Sequence, residues 1–199
     1  NIDMNEYSYI PNYFLNGFNY IEEVNVIGSP TSIGSYAFDN LSTAEFNIDF
    51  SEVTTINNYA FRNCTYLTKV NAPKVTSIGT YAFQNCVNLT EFTSSDLLTS
   101  IGSYAFEYTS IEETPDLNNA SVGNYAFAYN TSLKVINGFN TAKFTNSSSG
   151  NNYIFYGSYN IEEINAVIGS SYSSGSYYLL QRVFDTSAYY SSSYYYSST

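Results

Sequence analysis

The chain has 199 residues, and 44% of them are hydrophobic, enough for a sizeable core and too many for a disordered protein. Six Lys and Arg against 17 Asp and Glu leave a formal charge of −11, too little positive charge to neutralise nucleic-acid phosphates or to hold an anionic membrane surface. Histidine is absent, which removes Ser-His-Asp and Cys-His nucleophile pairs and histidine-based zinc sites, and no sequence feature calls for a cofactor.

No run of roughly 18 apolar residues reads as a transmembrane helix, so this stretch is not expected to span a membrane. Charged residues make up only 12%, against about 25% in an ordinary soluble domain, while Tyr alone numbers 23. A surface made polar by Tyr, Ser and Asn suggests an exported, secreted protein. No secretory signal is visible, and Asn1 in place of an initiator Met is expected for a processed or trimmed chain.

In chain order, a weak first copy, Asn12-Tyr13-Phe14, precedes five near-identical segments: Ile33–Phe38, Ile56–Phe61, Ile78–Phe83, Ile101–Phe106 and Val122–Phe127. Their terminal Phe residues recur at intervals of 23, 22, 23 and 21, and a further copy, Asn152-Tyr153-Ile154-Phe155, follows a Ser/Asn-rich insert at about 140–152. Repeats of 20–29 residues point to a leucine-rich-repeat solenoid, here of about seven turns over residues 1–168. The expected architecture is a right-handed coil with one short parallel β-strand per turn and short helical or turn segments on the opposite wall. Between the Phe positions lies an L-x-x-L-x-L spacing, clearest at Ile21-x-x-Val24-x-Val26, Leu67-x-x-Val70-x-Ala72, Leu133-x-x-Ile136-x-Gly138 and Ile161-x-x-Ile164-x-Ala166. Leu89-x-x-Phe92-x-Ser94 is looser, and Thr43-x-x-Phe46-x-Ile48 and Ile111-x-x-Thr114-x-Asp116 are degenerate. Alternation over its last three positions reads as a strand, and stacked strands make a parallel sheet.

The Phe at positions 38, 61, 83, 106, 127 and 155 is expected to form a buried spine, each ring contributing roughly 1.5–3 kcal/mol. Gly34, Gly79, Gly102 and Gly123, replaced once by Asn57, are expected to permit a backbone conformation that other residues resist.

Two columns follow on the solvent side of the strands. The first reads Glu23, Glu45, Lys69, Glu91, Glu113, Val135, Glu163, and the second Asn25, Asn47, Asn71, Thr93, Pro115, Asn137, Asn165. Their spacings of 22, 24, 22, 22, 22 and 28 give the same register as the Phe count. Functionally this is an acidic, amide-lined concave face suited to a cationic protein patch, a sugar or a metal ion. Structurally, Glu and Asn are also ordinary residues of a solvated strand, although like charges directly opposite cost free energy.

The runs Phe61-Arg62-Asn63-Cys64-Thr65-Tyr66-Leu67-Thr68-Lys69-Val70, Phe83-Gln84-Asn85-Cys86-Val87-Asn88-Leu89 and Thr76-Ser77-Ile78-Gly79-Thr80-Tyr81-Ala82-Phe83 resemble the BspA-type leucine-rich-repeat family over roughly residues 8–168. The resemblance implies surface-exposed proteins of host-associated bacteria and some protozoan parasites, several of them adhesins for host matrix proteins or other cells, with no active site. The chain departs from the family pattern at Leu41, which takes the Cys position, after Phe106, where that position is not clearly filled, and at the insert.

Cys64 and Cys86 occupy one position of consecutive repeats. They read either as a disulfide between turns or as two buried thiols packed as small apolar groups. The pairs Glu22-Glu23, Glu112-Glu113 and Glu162-Glu163 recur because the turn recurs, and nothing sets two carboxylates across a cleft as glycoside hydrolysis needs. The chain is therefore read as non-enzymatic. The triplets at Asn40, Asn63 and Asn88 match a glycosylation acceptor but are expected by chance in this composition. From 169 to 199 the Ser/Tyr-rich tail reads as a degenerate last turn or cap, with a Tyr/Ser contact surface as a second reading. The function expected is an extracellular or cell-surface adhesion module recognising a host matrix protein, cell-surface protein or glycan. The alternative is a structural spacer displaying other domains.

Overall fold

The computed structural model describes residues 2–3, 6–18, 20–42, 45–140 and 153–167. The insert at 141–152 and the tail read above as a cap lie outside them. Thirteen short strands occur among the described residues: β1 Ile2–Asp3, β2 Tyr9–Ile10, β3 Glu23–Ile27, β4 Ser32–Ile33, β5 Glu45–Asn47, β6 Thr55–Ile56, β7 Lys69–Asn71, β8 Ser77–Ile78, β9 Glu91–Thr93, β10 Ser100–Ile101, β11 Ser121–Val122, β12 Val135–Asn140 and β13 Glu163–Val167. Every pairing between them is parallel and joins successive turns, as a leucine-rich-repeat solenoid requires. Both strands are present in the turns of Phe14, Phe38, Phe61, Phe83 and Phe127, about five turns where seven were expected; the turn of Phe106 has β10 and only an isolated bridge at Glu113, and the level of Phe155 has only β13 among the described residues.

The spine forms as expected. Phe38, Phe61, Phe83, Phe106 and Phe127 are fully buried. Their rings stack at 5.1, 5.4, 5.3 and 5.2 Å between centroids, and Phe155 adds a further level at 5.6 Å. Phe14 closes the other end edge-on to Phe38. The middle strand residues Val24, Val70, Phe92 and Ile136 face the same core, together with Ile33, Ile56, Ile78 and Ile101.

Two features differ from the sequence reading. The L-x-x-L-x-L strands do not form one unbroken sheet but three pieces, β1-β3-β5, β7-β9 and β12-β13, with an isolated bridge from Glu113 to Val135. The first break coincides with the 24-residue interval between Glu45 and Lys69. At the second, Pro115 has no N–H to give to a ladder. The continuous sheet lies elsewhere. The two-residue steps that open each motif, β2-β4-β6-β8-β10-β11, pair in one six-stranded ladder; all but the first, Tyr9-Ile10, read Ser/Thr-Ile/Val. Each step places its Ile or Val inward, and the preceding Thr31, Thr54, Thr76 and Thr99 donate their hydroxyls to carbonyls of the preceding turn at 2.7–3.1 Å. Five of the turns thus have two strands each, not one.

The motif glycines serve a different purpose from the one expected. Gly34, Gly79, Gly102 and Gly123 are not among the residues with positive φ. A Cβ at Gly102 would instead lie 2.4 Å from the backbone N of Thr80, and one at Gly79 would lie 2.5 Å from that of Asn58. Glycine is needed because adjacent backbones touch, with Gly102 N–H donating to Ile78 O at 2.8 Å. Where Asn57 stands instead, its N–H bond to Ile33 O lengthens to 3.0 Å and its side-chain amide adds a bond to the same carbonyl at 2.8 Å.

The left-handed conformation falls on the tyrosines. Tyr13, Tyr36, Tyr59, Tyr81, Tyr104 and Tyr125 have φ between 57° and 60°, and two residues after each Phe a second such position holds Asn40, Asn63, Asn85, Tyr108 or Tyr129. Each left-handed residue costs roughly 1–2 kcal/mol. The cost is offset because the tyrosine N–H then reaches the next turn, as Tyr59 does to Thr80 O at 2.9 Å, while Phe61 N–H reaches Ala82 O at 2.8 Å. The wall opposite the strands is therefore a hydrogen-bonded series of turns and not helical.

Cys64 and Cys86 are free and fully buried, and each Sγ lies 3.0 Å from a carbonyl of the preceding turn, Phe38 O and Phe61 O. Burial pushes both thiols well above their ordinary pKa. A thiol reagent should therefore leave the native protein unmodified and titrate both cysteines after unfolding without reductant; no free thiol in the unfolded chain would mean a bridge. Phe83→Ala removes ring contacts with Phe61, Phe92 and Phe106 at once. It should lower unfolding stability by about 3–5 kcal/mol in a urea titration.

Candidate functional site

The columns expected on the strand wall are present and in register. Glu23 lies directly opposite Glu45, Asn25 opposite Asn47, Lys69 opposite Glu91, Asn71 opposite Thr93 and Val135 opposite Glu163. Glu23, Glu45, Asn47, Lys69, Asn71, Glu91, Thr93, Glu113, Glu163 and Asn165 are exposed, whereas Asn25 and Asn137 are half-buried. Pro115 is buried and interrupts the amide column.

The amides moderate the repulsion within the glutamate column. Asn47 Nδ2 donates to Glu23 Oε1 at 3.1 Å and to Asn25 Oδ1 at 2.8 Å, and Asn137 Nδ2 donates to Glu113 Oε2 at 3.4 Å. Asn165 Nδ2 continues the ladder to Asn137 Oδ1 at 3.1 Å. Lys69 Nζ lies 2.7 Å from Glu91, and this pairing lowers the Glu91 pKa and raises that of Lys69. Both side chains are more than half exposed, so solvent screens the pair and it adds little to stability.

Where the sheet breaks at Pro115, a groove of about 590 Å³ opens, lined by Glu91, Thr93, Glu112, Glu113, Asp116 and Asn137 among others. All four described cations are held in ion pairs: Arg62 with Asp39, Lys69 with Glu91, Lys74 with Glu52 and Lys134 with Glu112. Glu113 and Asp116 thus face the groove without a cationic partner among the described residues. No cluster of three or more His, Cys, Asp or Glu able to hold a metal ion occurs among those residues, and no helix among them is long and apolar enough to cross a membrane.

The opposite wall carries features the column reading passed over. Tyr13, Tyr36, Tyr59, Tyr81, Tyr104 and Tyr125 form a face-to-face stack with centroids 4.9, 4.5, 4.8, 4.8 and 5.1 Å apart. Tyr153 extends it at 5.4 Å. Beside the stack, the residues after Phe38, Phe61, Phe83 and Phe106 form a polar column. Arg62 makes a two-pronged bond to the buried Asp39, both contacts at 2.8 Å, with its guanidinium 4.8 Å from the Tyr59 ring centroid. In the next two turns Gln84 Nε2 donates to Glu107 at 2.6 Å. An asparagine ladder follows, with Asn63 Nδ2 on Asn40 Oδ1 at 2.6 Å and Asn85 Nδ2 on Asn63 Oδ1 at 2.9 Å. Asn63 is therefore committed within the wall and not displayed as an acceptor. All of these groups sit at fixed offsets from Phe, and that periodicity was the signal available in the sequence.

Burial raises the Glu107 pKa above its ordinary value of 4.5, against the lowering effect of the Gln84 bond. The folded state then binds more protons than the unfolded state in the window just above that value, so this group's contribution falls as pH rises through its folded pKa. Glu107→Gln should flatten that part of the stability–pH curve measured by urea unfolding; a curve with unchanged slope would remove the assignment.

The repeat and the solenoid fold agree with the comparisons to known proteins. The family profile described as BspA type leucine rich repeat region matches six copies, over residues 1–112 and 54–182. Among solved structures, a leucine rich cell surface protein from Faecalibacterium prausnitzii A2-165 aligns over 65% of this chain and 42% of its own, at 25% identity with a TM-score of 0.53. A leucine-rich repeat protein from Bacteroides ovatus ATCC 8483 aligns over 81% of this chain and 66% of its own, at 13% identity with a TM-score of 0.29. No curated protein matches. The chain thus spans less than half the length of the first of these structures, and it belongs to the BspA type leucine-rich-repeat family.

Proposed function

We propose that this chain is an extracellular adhesion module that recognises a protein ligand bearing a basic patch through its acidic strand wall. The coarser reading, a cell-surface protein-interaction or scaffold module, follows from the family and from the cell-surface protein it is similar to. The observation that carries the finer reading is the groove at Pro115, where Glu113 and Asp116 have no cationic partner among the described residues and the nearby lysines are already paired. Lysine or arginine side chains of a partner would supply the missing charge. The flanking amides of Asn137 and Asn165 would add hydrogen bonds that set orientation. A host matrix protein or a cell-surface protein fits this chemistry better than a glycan, because the groove is lined by carboxylates, an amide and hydroxyls and its one aromatic ring, Phe92, is buried, leaving no platform there for a sugar to stack on.

A binding screen of the chain against immobilised matrix proteins, mucins and glycans should find a protein ligand whose affinity falls with added salt. Glu112→Lys with Glu113→Lys should weaken that binding at least tenfold, and Glu52→Lys, a reversal outside the groove, should not. Binding that survives the groove reversal would remove this face and leave the structural-spacer alternative.

A further inference from the structure

The tyrosine stack recurs once per turn from Tyr13 to Tyr125, and neither the core nor the acidic face accounts for it. We infer that it is a site of oxidative coupling, at which a one-electron oxidant joins tyrosines of successive turns through their ring carbons.

The geometry supplies the reactants in place. From Tyr13 to Tyr125 consecutive ring centroids lie 4.5–5.1 Å apart with interplanar angles of 4–18°. Tyr108 and Tyr129 form a second parallel pair at 4.7 Å. Tyr13 is exposed and the inner rings are half-buried, so their edges reach solvent while their faces are covered. By contrast Tyr20, 98% exposed, and the exposed Tyr66 and Tyr159 stand outside the stack.

The oxidant required is hydrogen peroxide with a haem peroxidase. Each of two phenols loses one electron and one proton, giving phenoxyl radicals whose unpaired spin is shared by the carbons ortho to oxygen. Two such carbons form one C–C bond, and each releases its hydrogen as the ring regains aromaticity and its hydroxyl. Overall, two tyrosines and one hydrogen peroxide give one dityrosine and two waters. The unbroken ring contacts let a radical generated at an accessible edge pass along the stack until it meets a second. Coupling requires the paired rings to turn about their side-chain torsions, and the terminal torsion of tyrosine is broad. Reactants held side by side react faster than the same groups meeting by diffusion, so bonds within one chain outcompete bonds between chains. The product staples one turn to the next, restricting the unfolded chain as a disulfide would. The two cysteines are buried on carbonyls and do not fill that role.

The test treats the dilute chain with a haem peroxidase and limiting hydrogen peroxide. It reads dityrosine fluorescence, mass on a denaturing gel, and cross-linked peptides. The expected result is a monomer with links between Tyr36, Tyr59, Tyr81, Tyr104 and Tyr125 of adjacent turns or between Tyr108 and Tyr129. Its thermal midpoint should rise by roughly 5–10 °C. Tyr59→Phe with Tyr81→Phe and Tyr104→Phe keeps the stacking rings and should lose at least half of the dityrosine. Tyr20→Phe with Tyr66→Phe should lose none. Links concentrated on Tyr20, Tyr66 or Tyr159, or coupling chiefly between chains, would overturn the inference. Should the triple variant fail to fold, the peptide map of the unsubstituted chain decides alone.

Discussion

A single turn of this chain cannot bury its phenylalanine; only the ring of the next turn can cover it. That requirement governs the rest of the molecule. A stack of rings 5.1–5.6 Å apart from Phe38 to Phe155 sets the rise of the coil, and every other column must accept the same spacing. Stability in such an array is a sum over neighbouring turns, so the spine is also where the fold is most sensitive to change.

Two devices keep the backbones close enough for the spine. On one wall glycine brings peptide against peptide, as at Gly102 and Thr80. On the other, tyrosines in the left-handed region turn their N–H groups toward the next turn. The strain in those residues is balanced by forward hydrogen bonds and by stacking, worth about 0.5–1.5 kcal/mol per aromatic pair. The same tyrosine therefore closes the turn and builds the outer stack, which is why structure and surface chemistry cannot be separated on that wall.

The strand wall is governed by less stringent forces. Most of its outward side chains lie on solvent, and its ladder tolerates interruption because the six-stranded ladder of two-residue steps already ties the turns together. The loss of pairing at Pro115 opens a groove among carboxylates instead of unravelling the coil. Asn47 and Asn137, by donating to Glu23 and Glu113, let an acidic column persist in a register that sets Glu23 directly against Glu45.

The repeat, the Phe spine, the inward strand residues and the facing of Glu23, Glu45, Lys69, Glu91, Glu113 and Glu163 were legible in the sequence. A period and an alternation suffice to say which residues recur at one level and which point inward. The tertiary structure alone decided the second ladder, the breaks at residues 47 and 115, the role of the motif glycines, and the joining of Asp39 to Arg62 across 23 residues. Each of these depends on the distance and angle between neighbouring backbones. Periodicity determines that two residues are neighbours, but only the packed coil sets how closely and in which orientation they meet.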